Sequence, residues 1–263
     1  MKNKHKNNYH SHTYLCGHAK GNPIEYVNEA IKNNFESIGI SEHAPMAMLR
    51  NINSRLTKED YILYLKLLKE AKEYGSNNGI KVYSGLEIEY YKEFDFYQTF
   101  LNELDYLILG QHYIKRDGKY KSAFRFDDFI DVKLYVKAVI DGLESGYFKF
   151  LCHPELCLYN LDNYTDEMYD ELEKIVDVAI KYDIPLEVNA NGIRKSFKEH
   201  GKIDYNLFRY PNYKFFEMVS KKNAKVIIQS DAHKVEFTND WALEEAYKFA
   251  QQLGLNVINK IEI

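Results

Sequence analysis

Apolar positions along the chain follow two periods. Short runs rich in β-branched and aromatic residues recur between polar clusters: ESIGIS (36–41), KVYSGLEIEY (81–90), DYLILGQHY (105–113), YFKFLCH (147–153), IPLEVNA (184–190) and AKVIIQSD (224–231). Each predicts a strand, and YHSHTY (9–14), which alternates, predicts a first one before them. The longer stretches between follow the helical period. TDEMYDELEKIVDVAIKY places Met168, Leu172, Ile175, Val176 and Ala179 on one face. Asn22, Pro23 and Glu25 have the spacing of an N-cap, a first helical residue and a capping box. Thr57 is positioned to cap a long helix running to Gly75, and the last helix, about 240–253, stops at Gly254.

Strand–helix alternation repeated about seven times predicts parallel strands joined by crossover helices. With 263 residues and no Pro/Gly/Ser-rich linker, the expectation is a single domain over 1–263, built as a closed or nearly closed (β/α) barrel. An open doubly wound sheet is the rival. Its dinucleotide-binding form is disfavoured, because no G-x-G-x-x-G follows the first strand.

Composition narrows the function classes. Apolar residues make up 45% and charged residues 28%, enough for a sizeable core, and the net charge of −4 carries no bulk signal for nucleic acid. The three cysteines, Cys16, Cys152 and Cys157, form no C-x-x-C pair and suit a reducing compartment. The basic start MKNKHKNN lacks the apolar stretch of a secretory signal, and no apolar run approaches the roughly 20 residues of a bilayer span. The expectation is a cytoplasmic protein without a membrane or nucleic-acid partner.

The histidines carry the chemistry. Seven of the nine lie in or just after a predicted strand: His10 and His12 on one face of the first, His18 in the loop behind it, then His43, His112, His153 and His233. Asp231 precedes the last of these, and Glu87 and Glu89 stand near the end of another strand, where alternation alone cannot separate them. In a parallel barrel all strand C-termini open on one face, so these residues converge. Histidine with carboxylate is a ligand set for Zn, Mn or Fe, and so many candidates exceed one ion, which predicts two to three divalent metals.

HSH, SEHAP, GLEIEY, GQH, CHPEL and SDAH occur in the order found in the polymerase-and-histidinol-phosphatase (PHP) superfamily. YHSHTYLCGHA followed by YVNEAIKNNFESIGISEHAP resembles its histidinol-phosphate phosphatases more specifically. The resemblance runs from His10 to His233 and implies a distorted, TIM-like (β/α)7 barrel with three metals at the C-terminal ends of the strands. Carried over position by position, His10, His12, Glu87 and Asp231 hold the first ion. Glu87, His112 and His153 hold the second, with Glu87 bridging, and His18, His43 and His233 hold the third. Glu87 is chosen because it follows GL, and Glu89 receives no ligand role.

The family's phosphate-binding arginine matches Arg194 in EVNANGIRK. A second basic residue that some relatives carry after CHPEL has no match in CHPELCLYN, leaving Lys115, Arg116 or Arg125 as substitutes. The implied reaction is hydrolysis of a small phosphate monoester, L-histidinol phosphate in histidine biosynthesis, by a hydroxide shared between two metals, with Glu87, Asp231 and Arg194 as catalytic residues. A PHP exonuclease or phosphodiesterase is the alternative, disfavoured by the acidic charge. A non-catalytic metal-binding barrel is the third reading, disfavoured by the complete ligand set.

Overall fold

The computed structural model describes residues 5–49 and 54–263; the first residues of the basic N-terminal run lie outside them. Eight parallel strands form one curled sheet in the order β1 (Asn7–Asn8), β2 (Ser37–His43), β3 (Lys81–Ile88), β4 (Tyr106–Leu109), β7 (Phe148–Leu151), β8 (Leu186–Asn189), β9 (Lys225–Gln229) and β10 (Asn256–Ile258). The helices are α1 (Pro23–Lys32), α2 (Lys58–Asn77), α3 (Tyr97–Glu103), α4 (Phe129–Glu144), α5 (Asp166–Lys181), α6 (Ala190–His200), α7 (Tyr213–Lys221) and α8 (Trp241–Leu253). A two-stranded antiparallel hairpin, β5 (Tyr113–Arg116) and β6 (Lys119–Ser122), is inserted after β4. The barrel expected from the strand–helix rhythm is present in distorted form.

The helix starts follow local chemistry. Asn22 with Glu25, and Thr57 with Asp60, each make a complete capping box, and Gly254 ends α8 in the left-handed conformation. Helix α2 continues two residues past Gly75, to Asn77.

Two strand expectations are corrected. The predicted first strand, 9–14, is displaced: the regular ladder is Asn7–Asn8, and side chains take over beyond it. The Tyr9 N–H donates to Gln229 Oε1, that of Ser11 to Ser41 Oγ, and that of Thr13 to Glu42 Oε1. Backbone pairing returns only at Ser11, opposite Ala232, where the His12 N–H donates to the Ala232 carbonyl at 2.9 Å. The second correction is an eighth strand. The outer edge of β9 is shared lengthwise, with β10 pairing along Lys225–Ile227 and the segment around Ser11 meeting the chain beyond its end. This split edge draws the two ends of the sheet together around the site.

Tyr9, Tyr106, Ile108, Phe150, Cys152, Ile227 and Ile261 form a buried cluster of their own. Tyr106 donates to the Tyr9 carbonyl at 2.6 Å, and its ring occupies the space that a Cβ at Gly39 or Gly85 would need. The cluster includes Cys152, next to His153, so the histidines rest on a packed floor.

Candidate metal centre

Seven histidines, Glu87 and Asp231 meet at the C-terminal ends of the strands. Glu87 is the hub. Its Oε2 lies 3.5 Å from both His10 Nε2 and His12 Nε2 and 3.0 Å from His43 Nδ1. Its Oε1 lies 2.9 Å from His153 Nε2 and 3.5 Å from His112 Nε2. The hub needs Gly110 beside it, since a Cβ there would collide with the Glu87 carboxylate. Asp231 Oδ1 lies 3.3 Å from His12 Nε2, 3.6 Å from His10 Nε2 and 3.2 Å from His233 Nδ1. His233 Nε2 is 2.9 Å from His18 Nε2. His153 and Asp231 both adopt left-handed backbone angles, φ 30° and 47°, a region that Asp and His enter more readily than most residues.

These spacings suit a cation. Four ligands at 2.0–2.1 Å around a tetrahedral ion stand roughly 3.3 Å apart, and His10 and His12 approach Glu87 and Asp231 at 3.3–3.6 Å. Glu87 Oε2 and Asp231 Oδ1 are buried and accept no hydrogen bond among the described residues. Buried carboxylate oxygens without donors are costly unless a positive charge faces them. The residues present therefore fit divalent metal ions.

The electrostatics agree. Burial alone would raise Glu87, but His112, His10 and His43 hold it well below the usual carboxylate range. Asp231, also buried, is held down by His10 and His233. Burial opposes charge on His12, yet the carboxylates of Asp231, Glu42 and Glu87 facing it lift it to about 9. His18 moves the other way, to about 4, through burial and the neighbouring His233 and His12.

Carboxylates behind the histidines were not anticipated. His10 Nδ1 meets Glu187 Oε1 at 2.6 Å, and Glu187 Oε2 accepts from the His153 N–H and from Asn189. His12 Nδ1 faces Glu42 at 3.7 Å, and His112 Nδ1 faces Glu89 at 3.4 Å. Glu89 is in turn gripped by Arg55, with Nη2 to Oε1 at 2.8 Å and Nη1 to Oε2 at 3.2 Å. Such partners fix which imidazole nitrogen carries the proton and leave Nε2 free as a ligand. The sequence held one signal for them: Glu187 and Glu42 are charged residues inside otherwise buried strands.

Arg194 is a correction. It is not brought into the site, because its guanidinium is engaged elsewhere. Nε and Nη2 grip Asp240 at 2.8 Å each, Nη1 donates to the Ser230 carbonyl at 2.7 Å, and Nη2 donates to the Phe237 carbonyl at 2.9 Å. The suggested substitutes are also absent from the pocket wall: Lys115 pairs with Glu93, and Arg116 with Asp128 and Asp131. The pocket over the cluster, about 270 Å³, is lined instead by Arg55, Lys195, Asn191, Tyr113, Phe124 and Tyr210 together with the ligand candidates other than His10 and His12, which are fully buried. Arg125 is not among the lining residues.

Residues 8–191 match the PHP domain. The chain belongs to the PHP family. Among its PHP relatives, the histidinol-phosphatase of Bacillus subtilis (strain 168) is 33% identical over 87% of this chain and 94% of its own. A Schizosaccharomyces pombe relative, named a probable histidinol-phosphatase, is 23% identical over 85% of this chain and 79% of its own. In fold, the chain matches the hisK structure of Listeria monocytogenes with a TM-score of 0.72 at 21% identity, covering 90% of this chain and 98% of that one. It also matches histidinol phosphate phosphatase of Lactococcus lactis, solved with zinc, L-histidinol and phosphate, with a TM-score of 0.66 at 17% identity, covering 98% and 99%.

Proposed function

We propose that this PHP protein hydrolyses L-histidinol phosphate to L-histidinol and phosphate, using two to three divalent ions. The chain is a phosphoric monoester hydrolase, as its relatives are. The observation that carries the finer reading is the convergence of nine ligand-bearing side chains in one cluster, with two buried carboxylate oxygens that accept no hydrogen bond among the described residues. The substrate assignment is supported by the Bacillus subtilis relative, 33% identical along most of both chains.

His10, His12, Glu87 and Asp231 would hold one ion. Glu87, His112 and His153 would hold a second, and His18, His43 and His233 a third. His43 leans toward Glu87 here, so it stands between the second and third sets. When bound, the ions supply Lewis acidity toward phosphoryl oxygens and make water a competent nucleophile near neutral pH. The chain's own residues prepare this. Glu87 presents its two oxygens to different histidine pairs, so one carboxylate can serve two ions. Glu187 keeps a proton on His10 Nδ1, which leaves the Nε2 lone pair facing inward. Tyr113, Phe124 and Tyr210 wall the pocket with aromatic surface suited to the organic half of a small ester.

A cytoplasmic location is part of this reading, supported by three buried cysteines that form no disulfide among the described residues, as suits a reducing compartment. No helix among the described residues is long and apolar enough to cross a membrane.

The test is phosphate release from L-histidinol phosphate by protein loaded separately with zinc, manganese and iron, with single-stranded DNA digestion run alongside. Turnover of the monoester without DNA degradation supports the reading. DNA degradation without monoester turnover replaces it with the nuclease reading.

A further inference from the structure

Helix α6 starts at the metal centre and carries two adjacent cations, Arg194 and Lys195. Consecutive helical residues project about 100° apart, so both cannot face the same cavity. Arg194 turns toward α8 and its N-cap Asp240. Asn191 and Lys195, four apart and so on one face, both line the pocket. Asn191 already reaches the centre, donating to Asp231 Oδ2 at 3.2 Å.

Lys195 is exposed, and its ammonium rests over two rings, 4.9 Å from the centre of Phe124 and 5.4 Å from that of Tyr210. Those rings lie beside the centre: Phe124 is 6.5 Å from the His112 ring and Tyr210 is 6.1 Å from the His153 ring. Two cations line the pocket among the described residues. Arg55 is committed to Glu89 through both its terminal nitrogens, whereas Lys195 makes no ion pair with any described carboxylate. Cation–π contact at an exposed site is weak, so an arriving dianion can draw the ammonium off the rings.

We infer that Lys195, not Arg194, is the side chain that binds the phosphoryl group of the substrate, reaching it from the His112 and His153 side. The inference rests on the phosphatase reading above. Lys195 supplies a mobile point charge for phosphate oxygens, and Asn191 on the same face borders the same space.

The experiment compares wild type, Lys195→Gln and Lys195→Arg as metal-loaded enzymes. It measures KM and kcat on L-histidinol phosphate and p-nitrophenyl phosphate, and the affinity for inorganic phosphate by calorimetry. Losing one charge-assisted contact should raise KM for both esters and weaken phosphate binding by roughly tenfold or more. Metal content and Tm should stay at wild-type values, and Lys195→Arg should recover most of the loss. Wild-type KM and phosphate affinity in Lys195→Gln overturn the inference. If wild type hydrolyses neither ester, the phosphatase reading fails, and calorimetry alone then decides: weakened phosphate binding in Lys195→Gln supports the contact, and unchanged binding overturns it.

Discussion

Glu187 and His10, 177 residues apart, form a buried pair with Oε1 2.6 Å from Nδ1. Neither is accessible to solvent, so the carboxylate acts on the imidazole without screening. Glu187→Gln keeps the shape and removes the charge. Removal of such a partner typically costs 10–100-fold in metal affinity. That loss should appear on titration with a competing chelator, while the fold, followed by circular dichroism, persists. Unchanged metal affinity would show that the pair is only structural.

Glu87 and Glu89 should fail in different ways. Glu87→Gln removes the hub charge and should lower metal content and turnover with little loss of Tm. Glu89→Gln leaves Arg55 buried without its counter-charge, and breaking such a pair costs on the order of 3–5 kcal/mol. Its main effect should be a lower Tm. The pH dependence gives a second reading. Burial would raise Glu89, but Arg55 holds it at about 2, below the ordinary 4.5. A depressed carboxylate stabilises the fold above its unfolded pKa, and that contribution is lost as pH falls from about 4.5 toward 2. Glu89→Gln should therefore flatten this part of the acid-unfolding curve. Equal Tm values for the two variants would refute the separation.

Arg194→Ala should destabilise rather than impair phosphate binding. Arg194 and Asp240 are 8% and 12% exposed, so removing one partner leaves a mostly buried charge. The expected loss is on the order of 3 kcal/mol, a Tm drop of several degrees for a chain of this size. KM measured well below the new Tm should stay near wild type. A raised KM with an unchanged Tm would return Arg194 to the substrate site.

Metal binding should strengthen as pH rises toward 9. Buried His12 is lifted to about 9 by the facing carboxylates of Asp231, Glu42 and Glu87, so in the metal-free protein a proton occupies a proposed ligand nitrogen at neutral pH. An ion must displace it, which releases protons and makes affinity pH-dependent. Chelator competition at pH 7, 8 and 9 should show a steady gain. A flat profile would mean that the ligands are already deprotonated at pH 7.

The sequence by itself determined the strand–helix rhythm, the helix caps at Asn22 and Thr57, and the placing of histidines at strand ends. Each of these is local: a period of apolar residues, a side chain three residues from an amide, a residue type next to a strand terminus. The Asp117–Gly118 turn of the β5–β6 hairpin was equally local, a D-G dipeptide with both residues at positive φ, and could have been recognised. Only the tertiary structure decided the rest. Whether Glu87 or Glu89 is the hub depends on β3 ending at Ile88, so that one carboxylate meets five histidines and the other meets Arg55 and the outer nitrogen of His112. Whether Arg194 or Lys195 faces the pocket depends on the rotation of α6, which is set by Asp240 on the far side. Pairings such as His10 with Glu187 lie beyond any local period, because contacts between distant strands are made by the closing of the barrel.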